Sequence, residues 1–510
     1  MSLPAKLPED LRPVGHHRVA ATVQGGDLKD LAASLFADGM RLALVSGHDD
    51  GASIRTVYLF TGGPPDSRVE LHVPVDRSRP QVPSLAGLSF PASRFERELS
   101  DLFGIEPVDH PQPRRLVLHQ HWPEGWHPMR YGSGDVPPMV VDAGSFPFVP
   151  VDGTGVYEIP VGPVHAGLIE PGHFRFWVVG ETILRMKARL WFVHKGIERL
   201  CEGKDVAAGL EIAERISGDT AVGHGLAYCL AVEDARRTQV PEDAQLVRSA
   251  LLELERLYNH VADIGSLCND VGFGLAQAWA LTLREHLLRL NRAVTGHRLL
   301  RGGVVPGGAR VLRLPSEDEL GEIEQRFEEL VELITSSALV MERFTGTAIL
   351  DEAHARDLGV IGVVGRASGR TFDARITHPL ADLRDGFSPT VHSGGDVMAR
   401  FCVRVDEVRA SLSLMVDLIR RSDALDAVTW IEDRSGVQPS EGGVGIAEGW
   451  RGAVVHRVEL DEEDRLVRVK VVDPSFLNWP ALPVCLTDTI VPDFPLANKS
   501  FNLSYAGNDL

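Results

Sequence analysis

Leu246, Ala250, Leu254, Leu257, Val261 and Ile264 recur at spacings of four and three, which puts six apolar side chains on one face of one helix. Such a stripe must be buried against other elements, so the middle of this chain reads as a helical bundle. Helical stretches run from about Arg185 to Leu300, and further helices are predicted at Glu317–Phe344 and Gly395–Arg421. Ahead of them, short apolar strands (Arg41–Ser46, Thr56–Phe60, Val69–Val73) mix with a helical stretch near Leu28–Met40, the pattern of a small α+β domain. The Pro/Gly-rich stretch Tyr131–Gly155 reads as a linker. Strands are expected at Tyr157–Val161, Phe174–Val179 and around Arg451–Val472, followed by a poorly periodic tail. The fold class is therefore an α+β N-terminal domain over 1–130, a linker over 131–155, and a mainly α-helical domain with flanking β-strands over 156–510.

At 510 residues the chain is too long for one core, and length alone predicts about three domains. A net charge of −19 argues against a nucleic-acid partner, since phosphate binding needs a basic face. The opening MSLPAKLPEDLRP lacks the apolar core of a signal peptide, and no run of about 18 apolar residues offers a membrane span. Any membrane role is expected to come through partner subunits. The five cysteines (Cys201, Cys229, Cys268, Cys402, Cys485) form no C-x-x-C pair. An iron–sulfur cluster needs thiolates at close local spacing, so none is expected on this chain. No strand–G-x-G-x-x-G–helix unit is visible, which argues against NAD binding.

Arg215–Glu233 reads RISGDTAVGHGLAYCLAVE, and the chain ends KSFNLSYAGNDL. The first stretch resembles the leading metal motif of the nickel–iron hydrogenase large subunit, R-I-C-G-x-C, with Ser217 and Thr220 at the two cysteine positions. The end resembles the closing D-P-C-x-x-C motif, with Ser504 and Gly507 at its cysteines. Soft thiolates hold nickel and iron, whereas neutral hydroxyls are poor replacements and glycine offers no side chain. The resemblance is thus to a relative that lacks the nickel–iron centre, with Ser217, Gly218, Thr220 and His224 left to line a cavity. The cleaved C-terminal peptide of that family has no counterpart after Leu510 either.

Phe95–Pro111, FERELSDLFGIEPVDHP, with Arg114-Arg115 and His127-Pro128-Met129-Arg130, is similar to the 30-kDa-type subunit of respiratory complex I. Glu96, Glu98 and Asp101 alone read as a solvated acidic helix face ending at Gly104; the resemblance makes them a subunit-docking element. Ile159–Phe176, IPVGPVHAGLIEPGHFRF, carries two histidines on a strand–turn–strand, an arrangement more often structural than chemical. It resembles the hairpin of the complex I 49-kDa-type subunit that projects a histidine toward quinone, while Glu170 before Gly172-His173 resembles the hydrogenase proton relay. His165, Glu170 and His173 are then proton-transfer candidates, a Glu–His pair in a buried site having pKa values near neutrality. Arg451, in Glu448-Gly449-Trp450-Arg451-Gly452, resembles the arginine beside the hydrogenase metal cavity; read alone it is a surface arginine at a turn. His194–Leu200 and Glu253–His260 match further runs shared by both relatives, the second read equally as a link to membrane subunits or as inter-helix salt bridging. Gly296–Gly308 matches a family loop and is a weak phosphate-binding signal.

Together these motifs resemble the large subunit of formate-hydrogenlyase and hydrogenase-4 type complexes, related to fused complex I 30-kDa and 49-kDa subunits. That implies an oxidoreductase subunit on the cytoplasmic side of the cell membrane, with an iron–sulfur small subunit as electron donor and antiporter-like and anchor subunits in the membrane. Quinone is the implied acceptor, although Gly218 falls where complex I has a quinone-facing tyrosine. The rivals are an active hydrogenase large subunit and a non-catalytic scaffold.

Overall fold

A computed structural model describes residues 11–144, 146–167, 169–383, 387–422 and 442–510. The reading of Met1–Asp10 as free of a signal peptide lies outside these residues. A five-stranded sheet opens the chain in the order Arg12–Gly15, Arg18–Thr22, Ser67–Val75, Ile54–Gly62, Arg41–Asp49; only the Arg18–Thr22/Ser67–Val75 pair is parallel. The helices Gly25–Ala37 and Phe90–Phe103 accompany it. A three-stranded antiparallel sheet follows, from Val156–Val161, His173–Val179 and Thr182–Arg189. The helical body comprises Ala221–Arg236, Glu242–Asp270, Gly274–Thr295, Glu317–Thr335 and Val397–Arg421, joined by shorter helices. A second three-stranded antiparallel sheet, Gly443–Gly449, Gly452–Leu460 and Leu466–Val472, lies against the Ala221–Arg236 helix. Among the described residues no helix is long and apolar enough to cross a membrane.

The stripe from Leu246 to Ile264 is buried as its spacing requires, but so is nearly every other face of the Glu242–Asp270 helix, including Arg248, Glu253, Glu255, Arg256 and His260. Elsewhere the fold departs from local propensity. Arg185–Arg189 reads as helix because Arg, Met, Lys and Ala favour one; it is strand, because it completes the sheet beside His173–Val179. Glu317–Phe344 breaks at Ser336-Ser337 into two helices, and the tail forms short helices, of which Tyr505–Asp509 ends the chain.

The acidic face of Phe90–Phe103 is not solvated. Glu96 accepts from Ser84 Oγ and Leu85 N, both at 2.6 Å, and Asp101 Oδ2 gathers the amides of Leu116, Val117 and Leu118 at 2.8–3.1 Å. Glu98 pairs with Lys470 Nζ at 2.6 Å, and Lys470 also reaches Glu198 at 3.0 Å. Glu98 therefore docks the N-terminal part onto the 443–472 sheet of the same chain, where Arg457–Glu70 (3.1 Å) and Arg55–Glu459 (2.8 Å) do likewise, while Glu96 and Asp101 tie segments of the N-terminal part to one another. Glycine lets this sheet approach the Ala221–Arg236 helix closely: a Cβ on Gly445 would run into the Ala227 carbonyl oxygen, and one on Gly443 into that of Ala231.

Candidate functional site

Ser217 and Thr220 stand in the turn that enters the Ala221–Arg236 helix, and Ser504 caps Tyr505–Asp509 by accepting from Gly507 N at 2.8 Å. The fold brings these distant positions together: Ser217 Oγ and Ser504 Oγ lie 2.8 Å apart across 287 residues of chain. Asp219, between Ser217 and Thr220, organises the cluster. Its Oδ1 accepts from Ser217 Oγ at 2.9 Å, Thr220 Oγ1 at 3.0 Å and Arg451 Nη1 at 2.7 Å, and Oδ2 takes Arg451 Nη2 at 2.7 Å. Arg451 sits at the hairpin tip between Gly443–Gly449 and Gly452–Leu460, yet it is buried rather than a surface residue. Its Nε donates to Asn502 O at 2.5 Å, and its guanidinium lies 3.8 Å from the Trp450 ring centroid. Burial alone would push the Asp219 carboxyl up; Arg451 and the two hydroxyls outweigh it and hold it down to about 2.

One helical turn on, His224 bridges Asp473 Oδ2 (3.0 Å) and His456 Nε2 (3.1 Å), all three fully enclosed. Burial and the neighbouring His224 both oppose a charge on His456, which stays neutral. Asp473 also stands where a side chain on residue 507 would go: a Cβ there would lie 2.5 Å from its carboxyl carbon. Beneath the turn, Glu255 accepts from Val222 N and Gly223 N at 2.6 and 2.9 Å, and burial pushes its carboxyl up to about 8.

The hairpin loop is a separate group. His165 Nε2 meets Gly172 O at 2.8 Å and His173 Nδ1 meets Gly162 O at 3.1 Å, so both rings are tied across their own loop. Glu170 is exposed and forms no buried pair with either; its Oε2 accepts from Ala506 N at 3.0 Å, which joins the loop to the helix that Ser504 caps. Gly218 is exposed and the Asp219 side chain keeps 39% of its surface open, so the enclosed network meets solvent at that rim. In the other shared motifs, His260 Nε2 pairs with Glu407 (2.8 Å) and Arg375 with Glu253 (3.2 Å), which makes that run an ion-paired helix seam. The Gly307 amide of the glycine loop is already spent on the Glu233 carboxylate at 2.7 Å. No sequence motif marks His456 or Asp473; Asp219 lies between two altered ligand positions and Glu255 within the shared Glu253–His260 run, though neither was singled out there.

These residues do not fit a nickel–iron centre. The four cysteine positions of the resemblance present three hydroxyls bonded to one another or to Asp219, and a glycine facing a carboxylate. Neutral hydroxyls and a glycine supply none of the soft thiolate ligands such a centre needs, and the carboxylate that joins the hydroxyls, Asp219, is already paired with Arg451. Four of the five cysteines are buried elsewhere in the fold.

The fold and this remnant site define a class: large subunits built from complex I and hydrogenase parts. Family models of the respiratory-chain NADH dehydrogenase 30 Kd subunit, nickel-dependent hydrogenase, and the respiratory-chain NADH dehydrogenase 49 Kd subunit match residues 21–133, 195–268 and 270–439 in that order. The chain is 33% identical to formate hydrogenlyase subunit 5 of Escherichia coli (strain K12) over 86% of its length and 79% of that protein. It is 32% identical to hydrogenase-4 component G of the same organism, covering 85% and 77%. The NADH-quinone oxidoreductase C/D protein of Phocaeicola vulgatus is 29% identical over 68% and 70%. Among solved structures, the membrane-bound sulfane sulfur reductase, an archaeal respiratory membrane complex, contains a chain with a TM-score of 0.63 at 24% identity, covering 71% of this chain and all of that one. The chain belongs to the formate hydrogenlyase/hydrogenase-4 large-subunit family, which has NADH-quinone oxidoreductase proteins among its relatives. Its kind is that of an oxidoreductase-complex subunit.

Removing the cation from the site tests its electrostatics. Arg451→Met is expected to destabilise the protein by about 2–3 kcal/mol at neutral pH. That is less than the ~3–5 kcal/mol for a wholly enclosed pair, because water screens the open side of Asp219. The folded carboxyl titrates below its ordinary 3.8, so the pair's contribution is full at neutral pH and is lost as pH falls toward about 2. Thermal midpoints followed from neutral to acid pH should converge for the two proteins; a constant gap would show that the pair carries no such linkage.

Proposed function

We propose that this chain is a peripheral subunit of a membrane-associated, complex I-like oxidoreductase that passes electrons from a partner iron–sulfur subunit to a quinone-like acceptor, without a nickel–iron centre of its own. The observation that carries the reading is the Arg451–Asp219 pair joined to Ser217, Thr220 and Ser504, which replaces a ligand set with a hydrogen-bonded polar floor. The acceptor approaches at the Gly218–Asp219 rim, where that floor is open. Ser217, Gly218, Thr220 and His224 form or back the floor, and Arg451 favours the negative charge of a reduced acceptor. His165, Glu170 and His173 orient the acceptor and deliver protons from the loop that Glu170 pins to the C-terminal helix. The complex places this chain on the cytoplasmic face, with antiporter-like and anchor subunits in the membrane.

Photoaffinity labelling of the native complex with a quinone analogue tests this. Label on 162–176 or 215–224 that excess quinone competes away is the expected result. An intact complex that labels neither segment, or that contains nickel in proportion to this chain, would overturn it. The close packing of Ser217 against Ser504 supports a second reading, a scaffold that couples its neighbours without chemistry, and absent label together with absent nickel would select it.

A further inference from the structure

A groove of about 1420 Å³ runs between the Phe90–Phe103 helix, the Thr182–Arg189 strand and segments near 355–377 and 477–484, and it shares no lining residue with the Ser217–Arg451 network. Among the described residues nine that line it are Arg or Lys, in a chain of net charge −19, and the one lining carboxylate, Asp357, already meets Arg356 at 3.3 Å. Five of the cations, Arg94, Arg97, Arg114, Lys187 and Arg189, lie close enough to repel one another. Their hydrogen bonds go to neutral acceptors. Arg94 reaches Asn508 Oδ1 (3.1 Å), Arg97 the carbonyls of Arg114 and Arg115 (2.7 and 2.9 Å), Arg114 the Gln112 amide oxygen (3.3 Å), and Arg189 the carbonyl of Leu116 (2.5 Å). Buried Nε atoms of Arg94, Arg114 and Arg189 have no partner among the described residues, and neither does the Lys187 ammonium. The nearby acids Asp101, Glu98 and Asp509 attract these cations at a distance but form no ion pair with them: Asp101 accepts three backbone amides, Glu98 takes Lys470, and Asp509 accepts from Val193 N and Asn508 Nδ2. Burial and the four guanidiniums lower the Lys187 pKa to about 8. Gathering cations in a half-buried groove with no ion-paired acid for these five among the described residues is costly, and a partner's carboxylates offset that cost.

We propose that this groove receives an extended acidic segment of a partner subunit, whose Asp and Glu side chains pair with Arg94, Arg97, Arg114, Lys187 and Arg189. Arginine forks match carboxylates in two-point geometry, which suits this ligand chemistry. The groove exceeds the roughly 300–1,000 Å³ of a small-molecule pocket. Its wall also offers the apolar anchors of a protein interface, with Leu88 and Phe90 exposed at 39% and 37%. The inference rests on the chain working within a multi-subunit complex and is independent of which acceptor that complex reduces.

The test uses the Lys187 amine in the native complex. Carbodiimide coupling joins an amine only to a carboxylate in contact with it, so peptides containing Lys187 should be recovered linked to an Asp or Glu of another subunit. Lys187 should also acetylate at least about tenfold more slowly in the complex than in the purified full-length chain, because a carboxylate partner raises its pKa by about one unit or more. The Arg94→Gln/Lys187→Gln variant should lose the cross-link and release the partner at lower salt. Equal acetylation in both states with no cross-link overturns the proposal. So does protection of the purified chain by inorganic phosphate or pyrophosphate without an inter-subunit cross-link, which makes the groove a small-anion site. Quinone labelling is read separately, so failure of the acceptor assignment leaves this result interpretable.

Discussion

Restoring cysteine at Ser217, Thr220, Ser504 and Gly507 together is expected to yield a protein that is less stable by on the order of 4 kcal/mol and that still takes up no nickel. The loss is expected to come chiefly from residue 507. A Cβ there lies 2.5 Å from the Asp473 carboxyl carbon, so the new side chain must displace an acid that holds His224 and caps the Pro474–Asn478 helix. Overpacking costs about 1–3 kcal/mol, and parting a buried charge from its partner adds to that. Nickel content by mass spectrometry and the thermal unfolding midpoint read both halves of the expectation. The single Gly507→Cys variant should reproduce most of the midpoint change. Stoichiometric nickel with an unchanged midpoint would mean that Arg451 and Asp473 yield easily and that the site is only superficially altered.

Glu407→Gln should destabilise the helical body by about 3–5 kcal/mol, a large part of the usual 5–15 kcal/mol of a folded domain. Oε1 of Glu407 binds Arg366 at 2.7 and 2.8 Å, while Oε2 meets His260 at 2.8 Å and Arg256 at 3.5 Å, and every one of these side chains is enclosed. Gln removes the charge but not the guanidiniums, which are left with less counter-charge where water cannot replace it. In a chain of this size unfolding is not a single step, so a lowered thermal midpoint and faster proteolysis of the 242–421 region are the readouts. Glu285→Gln serves as the control, since its pairs with Arg289 and Arg298 lie in solvent and their loss should leave the midpoint essentially where it was.

The two substitutions separate what local sequence could announce from what it could not. The apolar stripe on Glu242–Asp270 announced a buried helix, because its period is a property of the chain itself. The charged run on the same helix reads equally as a link to membrane subunits or as inter-helix salt bridging; it is buried, and its counter-ions come from 233, 375, 404 and 407. Arg185–Arg189 was misleading for the same reason: strand pairing with His173–Val179 outweighed the helix preference of Met, Lys and Ala. Arg451 looked like a turn arginine; its burial depends on Asp219 and Asn502 arriving from elsewhere.

By itself the sequence determined that this chain carries the frame of a hydrogenase large subunit with none of the four thiolates, since ligand identity is written residue by residue. It also determined the helical middle and the strand-rich N-terminal part, since periodicity is local. Only the tertiary structure decided that Ser217 and Ser504 meet, that Arg451 and Asp219 fill the space around them, and that Asp473 stands against residue 507. It alone also drew a basic groove out of an acidic chain, because net charge sums over the surface while a groove gathers side chains from segments far apart along the chain.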